Sequence, residues 1–238
     1  MLFPLLTSTK LRRLPAVVIG IIVVNLAVFL VTRATLVSCA QDWGFVAADS
    51  VNKTFANLGR VRVLQTVVTH AFLHGGWAHL MCNMWMLAVF GTALETRVGP
   101  LRFAALYLLC AVFAVLCQGV LQTGPIRPVI GASGAISGVL GCYLATESRS
   151  RVLSLCFLGI IIFVTEVPGF FYAAVWLVLQ IDGIQTHFLT GADCRNIAWW
   201  AHLGGFCFGV GLGVARSWLL SSASQTLNTP RDAEPAKV

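Results

Sequence analysis

From Leu14 to Thr32 the chain runs without a single charge, directly after Lys10, Arg12 and Arg13. At about 1.5 Å per helical residue, such a run matches the roughly 30 Å hydrocarbon layer of a bilayer. In that solvent every backbone N–H and C=O must find a partner inside the protein, which leaves helices or closed barrels. Comparable runs follow from about Trp77 to Leu94, Phe103 to Leu121, Ser133 to Thr146 and Ile197 to Leu220, with another inside Val152 to Ile181. The whole chain is 58% hydrophobic and 11% charged, outside the range of ordinary soluble domains. The pattern predicts an all-α, polytopic membrane protein with six transmembrane helices.

The formal net charge of +7 is spread over single residues flanking the apolar runs. Such charges orient a protein in the bilayer; they form no basic patch, and nucleic acid is excluded as a partner. A cytoplasmic N-terminus puts Lys10, Arg12, Arg13, Arg97, Arg102, Arg149, Arg151 and Arg216 inside, against Arg33, Lys53, Arg60, Arg62, Arg127 and Arg195 outside. The fourth run, Ser133 to Thr146, rises only about 21 Å as a helix, so it starts below the outer surface. The loop before it, Gln122 to Ala132, must dip in to meet it beside water or protein. Val152 to Ile181 is interrupted by Glu166 and Pro168. One crossing there, Pro168 to Ile181, brings Ser133 and His202 to the same depth, and both termini are then cytoplasmic. Val152 to Val164 is expected to lie in the interface or extend the same tilted element. The organisation is a cytoplasmic segment 1–13, a transmembrane domain 14–220 and a flexible cytoplasmic tail 221–238.

Polar side chains in hydrocarbon are costly and mark function. Ser133 lies in Gly131-Ala132-Ser133-Gly134 and His202 in Ala201-His202-Leu203-Gly204-Gly205-Phe206, each at the start of an apolar run. A hydroxyl and an imidazole suffice for nucleophilic attack on an acyl group. Gly134, Gly138 and Gly141 on one run, and Gly205, Gly209 and Gly213 on the other, let two helix backbones approach closely. That approach would bring Ser133 to His202. His79 and Asn83 share a helical face one turn apart; Asn83 is either glue between helices or, with His79 and the Ser133 backbone N–H, a donor to an oxyanion.

Taken in order, His74-Gly75-Gly76-Trp77-Ala78-His79-Leu80-Met81-Cys82-Asn83-Met84, Gly91-Thr92-Ala93-Leu94-Glu95, Gly131-Ala132-Ser133-Gly134-Ala135 and Ala201-His202-Leu203-Gly204-Gly205-Phe206 resemble the rhomboid intramembrane serine proteases. The resemblance covers about Thr69 to Gly213. It implies a six-helix rhomboid core and a Ser–His dyad with Ser133 as nucleophile and His202 as base and then acid. It also implies oxyanion donors from His79, Asn83 and the Ser133 N–H, and a structural polar cluster at Glu95 and Arg97. No cofactor and no metal are implied. The partners are the lipid bilayer and transmembrane protein substrates, single-span helices that unwind easily and are cut near the outer face. The location is the bacterial inner membrane. The other reading within the resemblance is a weak or inactive rhomboid-like protein that binds membrane clients. The chain departs from the family at Ser137, where Phe or Tyr commonly packs on the catalytic histidine. Either another aromatic takes that place, or the imidazole is loosely held and turnover is low.

The remaining motifs favour plain readings. His70, His74 and His79 lack an HExxH motif and an acidic neighbour, which argues against zinc. The eight cysteines mostly sit within apolar runs as small apolar residues, and Cys39 and Cys194 are the pair that could bridge outside them. Leu36-Val37-Ser38-Cys39 resembles a lipoprotein cleavage box, but Arg33 interrupts its leader.

Overall fold

The computed structural model describes residues 2–9, 13–46, 61–122, 127–147, 149–158, 161–190 and 197–228. A strand β1 (Leu2–Thr7) precedes helix α1 (Ala16–Thr32), which passes through a 3-10 turn (Arg33–Thr35) into α2 (Leu36–Trp43) and a short β2 (Phe45–Val46). Helix α3 (Val61–Thr69) and the 3-10 turn His70–Phe72 lead to α4 (Trp77–Val98), which carries a π-helical turn at Leu87–Gly91. Helix α5 (Pro100–Leu121) opens on a proline, whose fixed φ and missing N–H suit the first helical position. After β3 (Pro128–Val129) come α6 (Ser133–Glu147), β4 (Arg151–Leu158), β5 (Ile161–Pro168), α7 (Gly169–Thr190) and α8 (Trp199–Asn228). Among the described residues three helical stretches, Ala16–Trp43, Trp77–Val98 and Pro100–Leu121, are long and apolar enough to cross a membrane. The protein is mostly helical and multi-pass.

One expectation is corrected. Val152–Val164 does not extend the tilted helical element that follows it. It belongs to an antiparallel hairpin, β4 with β5, in register from Arg151↔Pro168 to Leu158↔Ile161. β1 adds to the other side of β4, with Leu2 opposite Cys156 and Thr7 opposite Val152. Val152, Ile161, Ile162, Phe163, Val164, Thr165 and Val167 are β-branched or aromatic and suit a pleated surface. The fold is therefore not purely α. Helix α8 runs on to Asn228, with no glycine or proline between Leu220 and that residue.

Helix α6 is the centre of the bundle, with every residue from Gly134 to Tyr143 buried. Its closest partner is α8, and glycines set the distance. A Cβ on Gly205 would overlap the Gly134 carbonyl, one on Gly209 the Gly138 carbonyl, and one on Gly141 the Phe206 carbonyl. At the opposite end from Ser133, Glu95 is 4% exposed and accepts from the N–H groups of Val17 (3.1 Å) and Val18 (2.9 Å). A carboxylate there satisfies orphan donors and complements the α1 dipole. Arg97 pairs with Glu147 at 2.9 Å. These contacts tie α1, α4 and α6 together.

Candidate active site

Ser133 opens α6 and is delivered by a constrained loop. Gly131 has φ +121°, a conformation that side chains other than glycine rarely adopt. Its N–H donates to the His70 carbonyl at 2.9 Å. Further back, β3 pairs with β2, Val129 opposite Phe45 and Pro128 opposite Val46. The loop is thus pinned at two points before the chain turns into helix. A Cβ on Gly131 would lie 2.7 Å from His79 Nε2 and 3.7 Å from Ser133 Oγ. His79 is therefore an immediate neighbour of the serine across a space that only glycine leaves open.

His202 sits in the first turn of α8. That turn is anchored by Gln118 of α5, whose Oε1 accepts the Ala201 N–H at 2.9 Å. The glycine contact between α6 and α8 then brings His202 Nε2 to 2.6 Å from Ser133 Oγ. The other ring nitrogen, Nδ1, is 2.7 Å from Oε1 of Gln180 on α7. Trp176 and Trp199 flank the imidazole, each with its ring centroid 6.2 Å away. Trp176 also stacks on Phe206 at 5.1 Å. The imidazole thus has aromatic neighbours from α7 and α8, although position 137 carries no ring. Ser137 itself is buried, and its hydroxyl donates to the Ser133 carbonyl at 2.7 Å.

A cavity of about 650 Å3 opens over this pair, with His70, His79, Gln118, Arg127, Ser133 and His202 in its wall. Asn83 is not in that wall. It is 7% exposed, one turn below His79, and its Nδ2 has no partner among the described residues. Ser133, His202 and His79 are brought together; Asn83 lies behind them with a free donor. Gln118, Gln180, Trp176 and Trp199 were missed in the sequence. The two glutamines carried the same signal as Asn83, an amide inside an apolar run. The tryptophans carried none.

The other histidines are structural in their contacts. His70 Nδ1–H donates to the Thr66 carbonyl at 3.1 Å, and His74 packs edge-on against His79 at 5.0 Å. Burial pulls His70 down to about 4. Burial, and then the neighbouring His79, do the same to His74, also to about 4. Among the described residues no three His, Cys, Asp or Glu side chains gather as a metal-binding group. Cys39 is a free thiol, and Cys194 lies outside the described residues.

Residues 62–219 match the rhomboid domain family. Over 162 residues the chain is 30% identical to the mitochondrial Rhomboid protein 1 of Saccharomyces cerevisiae, covering 66% of this chain and 42% of that one. It is 35% identical over 109 residues to the rhomboid protease GluP of Bacillus subtilis, covering 45% and 21%. It is 27% identical over 150 residues to the human Rhomboid-related protein 3, covering 62% and 35%. The chain spans less than half the length of each of these relatives.

Proposed function

The chain belongs to the rhomboid family, and from that premise we propose that it is a serine endopeptidase that cuts transmembrane helices inside the bilayer. The observation that carries the reading is the 2.6 Å contact between His202 Nε2 and Ser133 Oγ at the floor of a cavity set among apolar helices. At that distance the imidazole takes the hydroxyl proton as Oγ attacks a peptide carbonyl carbon. The carbonyl oxygen gains a negative charge. His79, the Ser133 N–H at the helix N-terminus, and Asn83 Nδ2 are the donors assigned to it. His202 then gives its proton to the leaving amine, and the C–N bond breaks to leave an acyl-serine. A water activated by the same imidazole attacks that ester, releases the second product and restores Ser133.

The proposal includes six spans, with α6, α7 and α8 joining the three long apolar helices, and both termini cytoplasmic. Ser133 then faces the outer side, so cleavage falls near that surface. The substrates are single-span helices that unwind readily, since a peptide must leave its helix to reach Oγ. The bilayer is the other partner, and no metal or cofactor takes part. The relatives are both bacterial and mitochondrial, so the proposal names a membrane face and not an organelle.

Purified protein should be labelled by a fluorophosphonate probe and should cleave a model transmembrane substrate in proteoliposomes. Ser133→Ala and His202→Ala should each abolish both activities, and the double variant should be no worse, because the two act as a unit. Turnover by Ser133→Ala protein would refute the mechanism. Binding of substrate without labelling or cleavage would instead mark a client-binding relative.

A further inference from the structure

Among the described residues no carboxylate hydrogen-bonds to His202, the histidine of the pair described above. The side chain that hydrogen-bonds His202 Nδ1 among the described residues is Gln180, with Oε1 at 2.7 Å. We infer that Gln180 is the positioning residue of this site, fixing the tautomer and the orientation of His202. The inference rests on the protease reading for its purpose, but not for its geometry.

Gln180 stands on the inward face of α7. Its neighbours Val178, Leu179 and Ile181 are 63%, 58% and 41% exposed on the outer face of the bundle, whereas Gln180 is 7% exposed. An amide that faces inward from such a helix must be fully paired to be tolerated. Its two ends are not interchangeable here. Nε2 lies 3.4 Å from the Trp176 carbonyl, which can only accept. The amide nitrogen must therefore face Trp176, and Oε1 must face the imidazole. An amide oxygen can only accept, so His202 Nδ1 carries the proton. In a neutral imidazole the other nitrogen, Nε2, is then the lone-pair acceptor, and it is the one directed at Ser133 Oγ at 2.6 Å. The chain of donors and acceptors runs in one direction, from a backbone carbonyl of α7 to the nucleophile. The reversed tautomer would put a proton on Nε2 and leave no base for Ser133. Trp176, one turn away on the same helix, lies beside the imidazole at 6.2 Å. One helix thus supplies both the hydrogen-bond acceptor and a flanking ring, the two constraints that a carboxylate and the aromatic absent at Ser137 would otherwise provide.

Two readouts test this, one of them independent of cleavage. With 15N-labelled histidine, the resonances lost in His202→Ala protein identify His202. The parent protein should show it as a single Nδ1–H tautomer. Gln180→Met removes the acceptor at nearly constant volume and should raise a population protonated at Nε2. In cleavage assays kcat of Gln180→Met should fall about ten- to a hundredfold, as expected for a misplaced reacting group, with KM little changed. Gln180→Glu keeps an oxygen at the same reach and should hold kcat within a fewfold. Should Gln180→Met fail to fold, Gln180→Asn, which draws the oxygen back by one methylene, takes its place with the same expectation. An unchanged tautomer in the variant, a parent protonated at Nε2, or a lowered melting temperature with unchanged kcat would each overturn the inference. A tautomer shift in a protein that never cleaves or labels would leave Gln180 in its role and remove the protease.

Discussion

Asn83 shows how one buried amide can be read two ways. If its unpartnered Nδ2 donates only when an oxyanion forms, Asn83→Ala should lower kcat by about 10²–10³ and leave the melting temperature nearly unchanged. Packing alone predicts the reverse, so melts and kinetics on the same sample separate the two. Ser137 poses a question of space. It is 3% exposed and hydrogen-bonded, and Trp176 and Trp199 already flank the imidazole. Ser137→Phe should therefore cost about 1–3 kcal/mol by overpacking, seen as a lower melting temperature, with no gain in turnover. His70 and His74 make acid a destabilising condition. Each is held at about 4 in the fold against 6.5 in the unfolded chain. The unfolded chain binds more protons between those values, so stability is complete above about pH 6.5 and is lost as pH falls toward 4. The melting midpoint in detergent should drop across that window, and His74→Leu should flatten the slope. Ser133 and His202 were legible because each is a lone polar group opening an apolar run. Gln180 carried the same mark, but its partner is on another helix, and no spacing rule ties position 180 to position 202.

At the scale of elements the decisive contact is the glycine seam between α6 and α8. A Cβ on Gly209 would meet Gly138 C at 2.6 Å and Gly138 Cα at 2.8 Å, all backbone that cannot yield. A Cβ on Gly211, on the same helix, would meet nothing within 4 Å. Gly209→Ala should force the helices apart, lengthen the Ser133–His202 contact and lower both stability and kcat. Gly211→Ala should be neutral, or stabilise by about 0.5–1 kcal/mol from the lost glycine entropy. Melts and cleavage rates of the two variants make the comparison. This seam could be read in advance because glycines recur at helical spacing on both runs. The strands at 151–168 could not. Their apolar residues form a continuous block without a period, and such a block does not distinguish a buried helix from a strand. The partner that settles the matter, Leu2–Thr7, is remote in sequence.

For the molecule as a whole, the sheet gives the topology a handle. Ser8 N–H donates to the Arg151 carbonyl at 2.7 Å, which places the segment after β1 beside the α6–β4 junction. In a cysteine-free background, Ser8→Cys and Ser150→Cys should react with an impermeant maleimide from one side of sealed membranes, and Ser38→Cys from the other. Labelling of all three from one side would mean that α1 does not cross. The same sheet also bears on how the protein is made. β1 is made before its partner, for Thr7 pairs with Val152, which is translated much later. At roughly 5–20 residues per second the wait is on the order of 10 s. Throughout it β1 has an open edge and no mate, while α1 and α4 are already entering the bilayer. Closing this sheet waits on the synthesis of β4, so a change that weakens β1 would disturb assembly of the fold before anything else.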